Sequence, residues 1–275
     1  MQTLTDIKAM LAAHGLFPKH RLGQNFLHDA NKMAAILDAA AVGKGDTVLE
    51  VGPGTGALTE QLLQRGARVV AVEIDRDLEP ILREQLAVYD QCFALLMEDV
   101  LESKRLINPR VLAALPRDQP FKLIANLPYN VASPLLANLA ADHPAMTLAI
   151  VMVQREVADR LTAEPGSKDY GPLGVMAQAM CQVRRIATLP PSCFWPQPKV
   201  DSAVIQLLRR PQPMTGNPHA LGELLHSLFS KRRKQLGTIL GRQTPLPPDI
   251  DPQDRPEQLS VEQLCRLAGI LVTDS

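Results

Sequence analysis

Thr47-Val48-Leu49-Glu50-Val51-Gly52-Pro53-Gly54-Thr55-Gly56 is the stretch that organises the rest of the chain. Its first half is rich in β-branched residues and predicts a short strand. Its second half is a glycine-rich turn. After it, Leu58, Leu62 and Leu63 keep helical spacing, and Gly66 stands where a helix C-terminal glycine belongs. A strand that passes through glycines into a helix brings bare backbone close to a ligand. The first N–H groups of the helix then face the ligand's polar atoms. The spacing is G-x-G-x-G, which differs from the G-x-G-x-x-G of dinucleotide sites.

Outward from this turn the same alternation repeats. Strands are predicted at 68–73, 92–97, 121–125 and 146–153. A helix over 30–41 is predicted upstream, with Asp29 as its N-cap. A helix from about Asp77 tolerates Pro80 because that proline falls in its first turn. Ser133-Pro134 reads as an N-cap followed by proline at the first helical position. Strands alternating with helices imply a parallel sheet covered on both faces, with ligands at the carboxyl ends of its strands.

After Gln182 the pattern changes. Residues 183–189 and 201–208 read as an antiparallel pair added to the sheet edge, around a proline-rich turn. Residues 210–219 read as a linker. Leu221, Leu224, Leu225, Leu228, Phe229, Leu236, Ile239 and Leu240 then keep helical spacing. A last helix is predicted from Ser260, with Gln263 completing a capping box. The expected division is 1–210 for the sheet domain and 211–275 for a small helical domain.

The chain has 275 residues, 46% hydrophobic and 21% charged, which is ordinary globular composition. Its 29 basic and 29 acidic residues cancel. Their distribution is uneven: residues 180–242 hold ten Lys and Arg against two acids, Asp201 and Glu223. Such a segment can form a basic face on a neutral protein. Cys92, Cys181, Cys193 and Cys265 have neither zinc-ligand nor disulfide-framework spacing, so no metal is expected. There is no signal-like N-terminus and no apolar run long enough to span a bilayer, so a cytoplasmic location without membrane contact is expected.

Five further positions carry chemistry. Glu73 ends the second strand, seventeen residues after Gly56, where a carboxylate can accept both ribose hydroxyls of a nucleoside ligand. Asp99, after the third strand, can accept from an exocyclic adenine amine. Asn126-Leu127-Pro128-Tyr129 is the sharpest signal. An exocyclic aryl amine is a poor nucleophile because its lone pair is delocalised into the ring. The Asn126 side-chain oxygen and the Leu127 carbonyl can accept its N–H groups if Pro128 holds the turn, while Tyr129 offers a ring for base stacking. Positioning and electrostatics then supply the catalysis. Phe194, in Phe194-Trp195-Pro196-Gln197-Pro198, is a candidate second clamp on the base. Unstacking a base costs a few kcal/mol, and each aromatic contact returns about 1–3 kcal/mol. Lys231, Arg232, Arg233 and Lys234 are expected on a helix, contacting the phosphates of a nucleic acid.

At these residues the chain resembles the ribosomal RNA adenine dimethyltransferase family, in particular its bacterial small-subunit enzymes. The likeness runs from about Lys19 to Leu267. It is carried by Gly23-Gln24-Asn25-Phe26-Leu27, Glu50 to Gly56, Glu73-Ile74-Asp75, Asn126 to Tyr129, Gln154-Arg155-Glu156-Val157, Tyr170-Gly171, Phe194 to Val204 and Arg232-Arg233-Lys234. The resemblance implies an α/β, Rossmann-like methyltransferase that uses S-adenosylmethionine, with a mostly parallel sheet, an antiparallel edge hairpin and a small C-terminal helical domain. It implies that Asn25 and Leu27 close over the cofactor, with Gly52, Gly54, Glu73, Asp99 and Asn126 lining its site. The implied reaction converts two adjacent adenosines near the 3′ end of small-subunit rRNA to N6,N6-dimethyladenosine. The implied partner is an immature 30S particle, and the enzyme is expected to act as a monomer. A small amine substrate would explain neither the basic C-terminal region nor Asn126 to Tyr129. A non-catalytic RNA-binding factor would not require both Glu73 and Asn126.

Overall fold

The computed structural model describes residues 2–116, 119–241 and 243–273. Helix α1 (Leu4–Ala13) opens the chain with a capping box between Thr3 and Asp6. Strand β1 (Phe26–Leu27) precedes α2 (Ala30–Ala40), whose Asp29 cap accepts from the Lys32 backbone N at 3.0 Å, as expected. The alternation then runs β2 (Thr47–Val51), α3 (Ala57–Gln64), β3 (Arg68–Glu73), α4 (Glu79–Leu86) and β4 (Phe93–Met97), with Pro80 in the first turn of α4. A small hairpin, β5 (Leu101–Ser103) with β6 (Leu106–Ile107), and the short helix α5 (Pro109–Ala114) follow, none of them foreseen.

Strand β7 (Phe121–Asn126), α6 (Ala132–Asp142) and β8 (Met146–Gln154) complete the parallel part. Two unforeseen helices, α7 (Arg155–Leu161) and α8 (Pro172–Met180), lead to β9 (Cys181–Leu189), β10 (Phe194–Trp195) and β11 (Ser202–Arg209). The C-terminal region holds α9 (Pro218–Ser230), α10 (Leu236–Leu240) and α11 (Val261–Thr273). The Ser260–Gln263 capping box ahead of α11 is present.

The main sheet has the order β4-β3-β2-β7-β8-β11-β9. Its first five strands are parallel, and β11 pairs antiparallel with both β8 and β9. The mostly parallel sheet with an antiparallel edge hairpin is therefore as expected. Alternate residues of the covered strands feed two cores. Leu49, Val70, Leu123 and Val151 face α6, α8, α9 and α11, while Val48, Val69, Ile124 and Ile150 face α1 to α4. The strand order reverses between β2 and β7, which opens a crevice at their carboxyl ends. Buried leucines of 211–275, among them Leu221, Leu225 and Leu264, belong to the first of these cores.

Two local expectations are corrected. Helix α6 starts at Ala132 with Val131 as its cap, so Ser133 is not the N-cap. The Val131 N–H bonds the Pro128 carbonyl at 3.1 Å, so the turn at Pro128 runs directly into the helix and starts it early. Pro134 still falls in the first turn, where its missing N–H costs nothing. Lys231, Arg232, Arg233 and Lys234 lie in a turn between α9 and α10, not on a helix. Long-range bonds break the helical pattern there. Leu236 N bonds Asp254 O, and the Arg232 guanidinium reaches Glu257 and the carbonyls of Ser167 and Lys168.

Candidate active site

The glycine turn leaves β2 with Gly52 N bonded to Val72 O at 2.9 Å. Gly52 has φ +73, and a Cβ on it would stand 3.1 Å from the Pro128 ring. Gly54 has φ +62, and a Cβ there would meet the Phe26 ring at 2.9 Å. Both positions therefore need glycine for two reasons, left-handed backbone and close approach. The glycine turn, the Asn126–Tyr129 turn and the segment before α2 thus touch one another around one cavity. Gln2 braces the turn from outside: its amide donates to Thr55 O at 2.9 Å and accepts from the Thr55 hydroxyl at 2.7 Å.

The charged residues lining this cavity, among those described, are all acids: Glu50, Glu73, Glu98 and Asp99. Glu73 is 5% exposed. Its carboxylate accepts from Gly54 N at 3.3 Å and from the Ile74 and Asp75 N–H groups at 2.9 Å. Burial raises its pKa, while those amides oppose the rise. Asp99 is exposed at the end of β4 and accepts from Leu101 N at 2.9 Å. Glu50 is buried on β2. Burial pushes its pKa up to about 8, with the Thr59 hydroxyl opposing and the Glu73 charge adding to the rise. Its Oε2 meets no hydrogen-bond partner among the described residues. A carboxyl buried this close to the cavity makes the site more negative whenever it ionises, which favours a cationic ligand.

Asn126 ends β7 with its side-chain N–H₂ donating to the Asn25 carbonyl at 2.9 Å. That bond uses the amide's donor end and leaves its oxygen as the acceptor on offer. Leu127 N is held by Met152 O at 3.1 Å. The Tyr129 hydroxyl lies 3.4 Å from Ser202 Oγ on β11, which steadies the ring at the cavity.

The structure thus brings Asn25, Leu27, Gly52, Gly54, Glu73, Asp99, Asn126, Leu127, Pro128 and Tyr129 to one cavity. It does not bring Phe194 there. Phe194 is 2% exposed and packs in the core beneath α1 to α4, because β10 pairs with β1 in the register Leu27 with Phe194. Trp195 instead stacks on Phe26, ring centroids 6.4 Å apart, with Lys8 Nζ 5.2 Å from its centroid. Of the basic run, Lys231, Arg233 and Lys234 are exposed, whereas Arg232 is half-buried. Glu50, Phe26, Ser202 and Gln2 take part in this arrangement although none is among the expected site residues. For Glu50 a signal existed: a charge inside a strand that a parallel sheet buries on both faces.

These residues fit S-adenosylmethionine. Its sulfonium and ammonium are cations, which suit a cavity lined by acids. The glycine backbone leaves room for close approach, and the Glu73 and Asp99 carboxylates would be the acceptors for ribose hydroxyls and an adenine amine. A pyrophosphate would find no basic side chain among the described lining residues. When bound, the cofactor supplies an electrophilic methyl group. Fold and site together define a Rossmann-like, S-adenosylmethionine-dependent methyltransferase.

A family model described as ribosomal RNA adenine dimethylase matches residues 17–272. The chain belongs to the ribosomal RNA adenine dimethylase family. It is 39% identical to the ribosomal RNA small subunit methyltransferase A of Bacillus cytotoxicus, over 96% of this chain and 95% of the relative. The protein of the same name from Bacillus thuringiensis is 38% identical over the same shares. Among solved structures, the 23S rRNA methyltransferase ErmE superposes with a TM-score of 0.67 at 26% identity, over 90% of this chain and all of that one. A dimethyladenosine transferase from Plasmodium falciparum superposes with a TM-score of 0.72 at 24% identity, over 89% and 98%, and shares the fold.

Proposed function

We propose that this enzyme dimethylates the N6 amines of two adjacent adenosines near the 3′ end of small-subunit rRNA. Its substrate is an immature 30S particle, on which it acts as a cytoplasmic monomer during ribosome biogenesis. The carrying observation is the Asn126 amide, whose N–H₂ is held by the Asn25 carbonyl beside an acid-lined cavity. With its donor end occupied, the Asn126 oxygen is available to accept from the adenine amine, together with the Leu127 carbonyl. Accepting those N–H groups favours a tetrahedral nitrogen, whose lone pair can then attack. Tyr129 offers the stacking face for the extruded base. The relatives' name supports a small-subunit RNA substrate. No helix among the described residues is long and apolar enough to cross a membrane.

Residues 1–210 form the catalytic part in this reading, and 211–275 the RNA-facing helical part. Lys231, Arg233 and Lys234 meet phosphates, while Arg232 shapes the turn that presents them. The test is transfer of labelled methyl from S-adenosylmethionine to 30S particles lacking these modifications, with Asn126→Ala as control. Labelled dimethyladenosine near the 3′ end, absent with the variant, is expected. Label in 23S rRNA alone would overturn the substrate assignment. Full activity of Asn126→Ala would overturn the assigned role of Asn126.

A further inference from the structure

The segment from Leu22 to Leu27 covers the cavity, and all six of its residues line it. Little backbone structure holds this strap in place. It begins in a single 3₁₀ turn, His20–Leu22, passes through Gly23 at φ +67, and ends in the two-residue strand β1. Phe26 and Leu27 anchor its far end in the core, and the polar side chains at its near end converge on one carboxylate. Lys19 Nζ lies 2.5 Å from Asp75 Oδ1, and Gln24 Nε2 donates to Asp75 Oδ2 at 2.7 Å. Lys19 N donates to Gln24 Oε1 at 2.8 Å, closing the loop on itself, and Lys19 Nζ also reaches Asp77 Oδ2 at 2.5 Å.

Asp75 is 5% exposed, and neither it nor Lys19 lines the cavity. A carboxylate so buried is costly unless it is paired and hydrogen-bonded, as this one is. Burial alone would raise its pKa. The bonds from Lys19, Gln24 and Asp77 N outweigh burial and hold it below the usual carboxylate value. Asp75 is also tied to the cofactor site, since its N–H donates to Glu73 Oε1 at 2.9 Å. At its other end the strap's Asn25 carbonyl accepts from the Asn126 amide. One run of contacts therefore joins Glu73 to Asn126 through Asp75, Gln24 and Asn25.

We infer that Asp75 is a positioning residue: through Lys19 and Gln24 it fastens the strap over the cofactor, and so sets both cofactor residence time and the orientation of the Asn126 amide. This rests on the reading that the cavity holds S-adenosylmethionine and that Asn126 accepts from the target amine. Loosening the tie frees the strap to lift. The cofactor then leaves faster, and Asn126 loses the carbonyl that fixes which end of its amide faces the adenine.

The test compares Lys19→Met, Asp75→Asn and the double variant with the unaltered protein, and adds Glu73→Ala. S-adenosylhomocysteine is the probe, with its affinity read by calorimetry and its dissociation by stopped-flow. Each single variant should speed dissociation about tenfold, the loss expected for a charge-assisted hydrogen bond. The double variant should do little more than either single one, because both break the same tie. Backbone hydrogen exchange should quicken over 22–27 and stay unchanged in β2 and α3. Single-turnover methyl transfer at saturating cofactor should also slow. Unaltered dissociation and exchange in folded Lys19→Met protein, with binding lost in Glu73→Ala, would overturn the inference and leave the site reading standing. A lowered melting temperature with unaltered dissociation would overturn it likewise. Unweakened binding by Glu73→Ala would overturn the site reading itself, and the inference with it.

Discussion

Glu50 is the residue whose chemistry is furthest from its ordinary state. Its pKa of about 8 means that at neutral pH the folded, cofactor-free protein holds a proton that the unfolded chain, with a carboxyl near 4.5, has released. The sign follows from linkage. Its contribution to stability is intact below about pH 4.5 and is lost progressively as pH rises towards 8. A cationic ligand favours the carboxylate, so binding expels the proton. Calorimetry of S-adenosylmethionine binding near pH 7, in buffers of different ionisation enthalpy, should show net proton release. Glu50→Gln should abolish most of it. The same variant should also flatten the fall in melting temperature of the free protein between about pH 5 and 8. Equal proton release in both proteins would place the titrating group elsewhere, with Glu73 the first candidate because burial raises its pKa too.

At the scale of elements, the turn between α9 and α10 separates two jobs that the sequence ran together. Arg232 bonds Glu257 and two backbone carbonyls, so Arg232→Ala should cost about 2 kcal/mol of stability. Lys231, Arg233 and Lys234 are exposed. Replacing Arg233 by Ala should leave the melting temperature alone and reduce the salt slope of 30S binding by about 1. A salt slope unchanged in Arg233→Ala and Lys234→Ala would remove this turn from the RNA interface. This pair of outcomes also marks where the sequence stops being legible. Local rules found the β2–glycine–α3 unit, the Asp29 cap and the Ser260–Gln263 box, because each is settled within a few residues. The β1–β10 pair joins Phe26 to Trp195, and no local pattern announces two-residue strands so far apart. That pairing also buries Phe194, which the motif alone suggested as a clamp. The site was legible where it lies at strand ends. The Lys19–Asp75 tie was not, because it depends on how the strap folds back.

The whole molecule has a sheet with unlike neighbours on its two faces. On one face α1 to α4 pack beneath the glycine turn; on the other α6, α8, α9 and α11 form a continuous core with the sheet. Leu221, Leu225 and Leu228 of α9 and Leu264 of α11 are at most 1% exposed, and they share that core with Leu136 and Val175. The Tyr170 hydroxyl donates to Leu259 O at 2.8 Å, a further tie between the two parts. Cutting the chain after residue 210 would therefore uncover an apolar face of the sheet part itself. Each fully buried leucine is worth about 1.5–3 kcal/mol, so losing several is comparable with the whole ~5–15 kcal/mol that ordinarily separates folded from unfolded. A 1–210 fragment should fail to give a cooperative transition or to bind S-adenosylhomocysteine. The full chain should unfold in one step, with calorimetric and van't Hoff enthalpies in agreement. A soluble 1–210 fragment that melts cooperatively and binds would instead mean that the C-terminal helices are a detachable RNA-binding module. The shared core would then contribute little to holding the catalytic sheet.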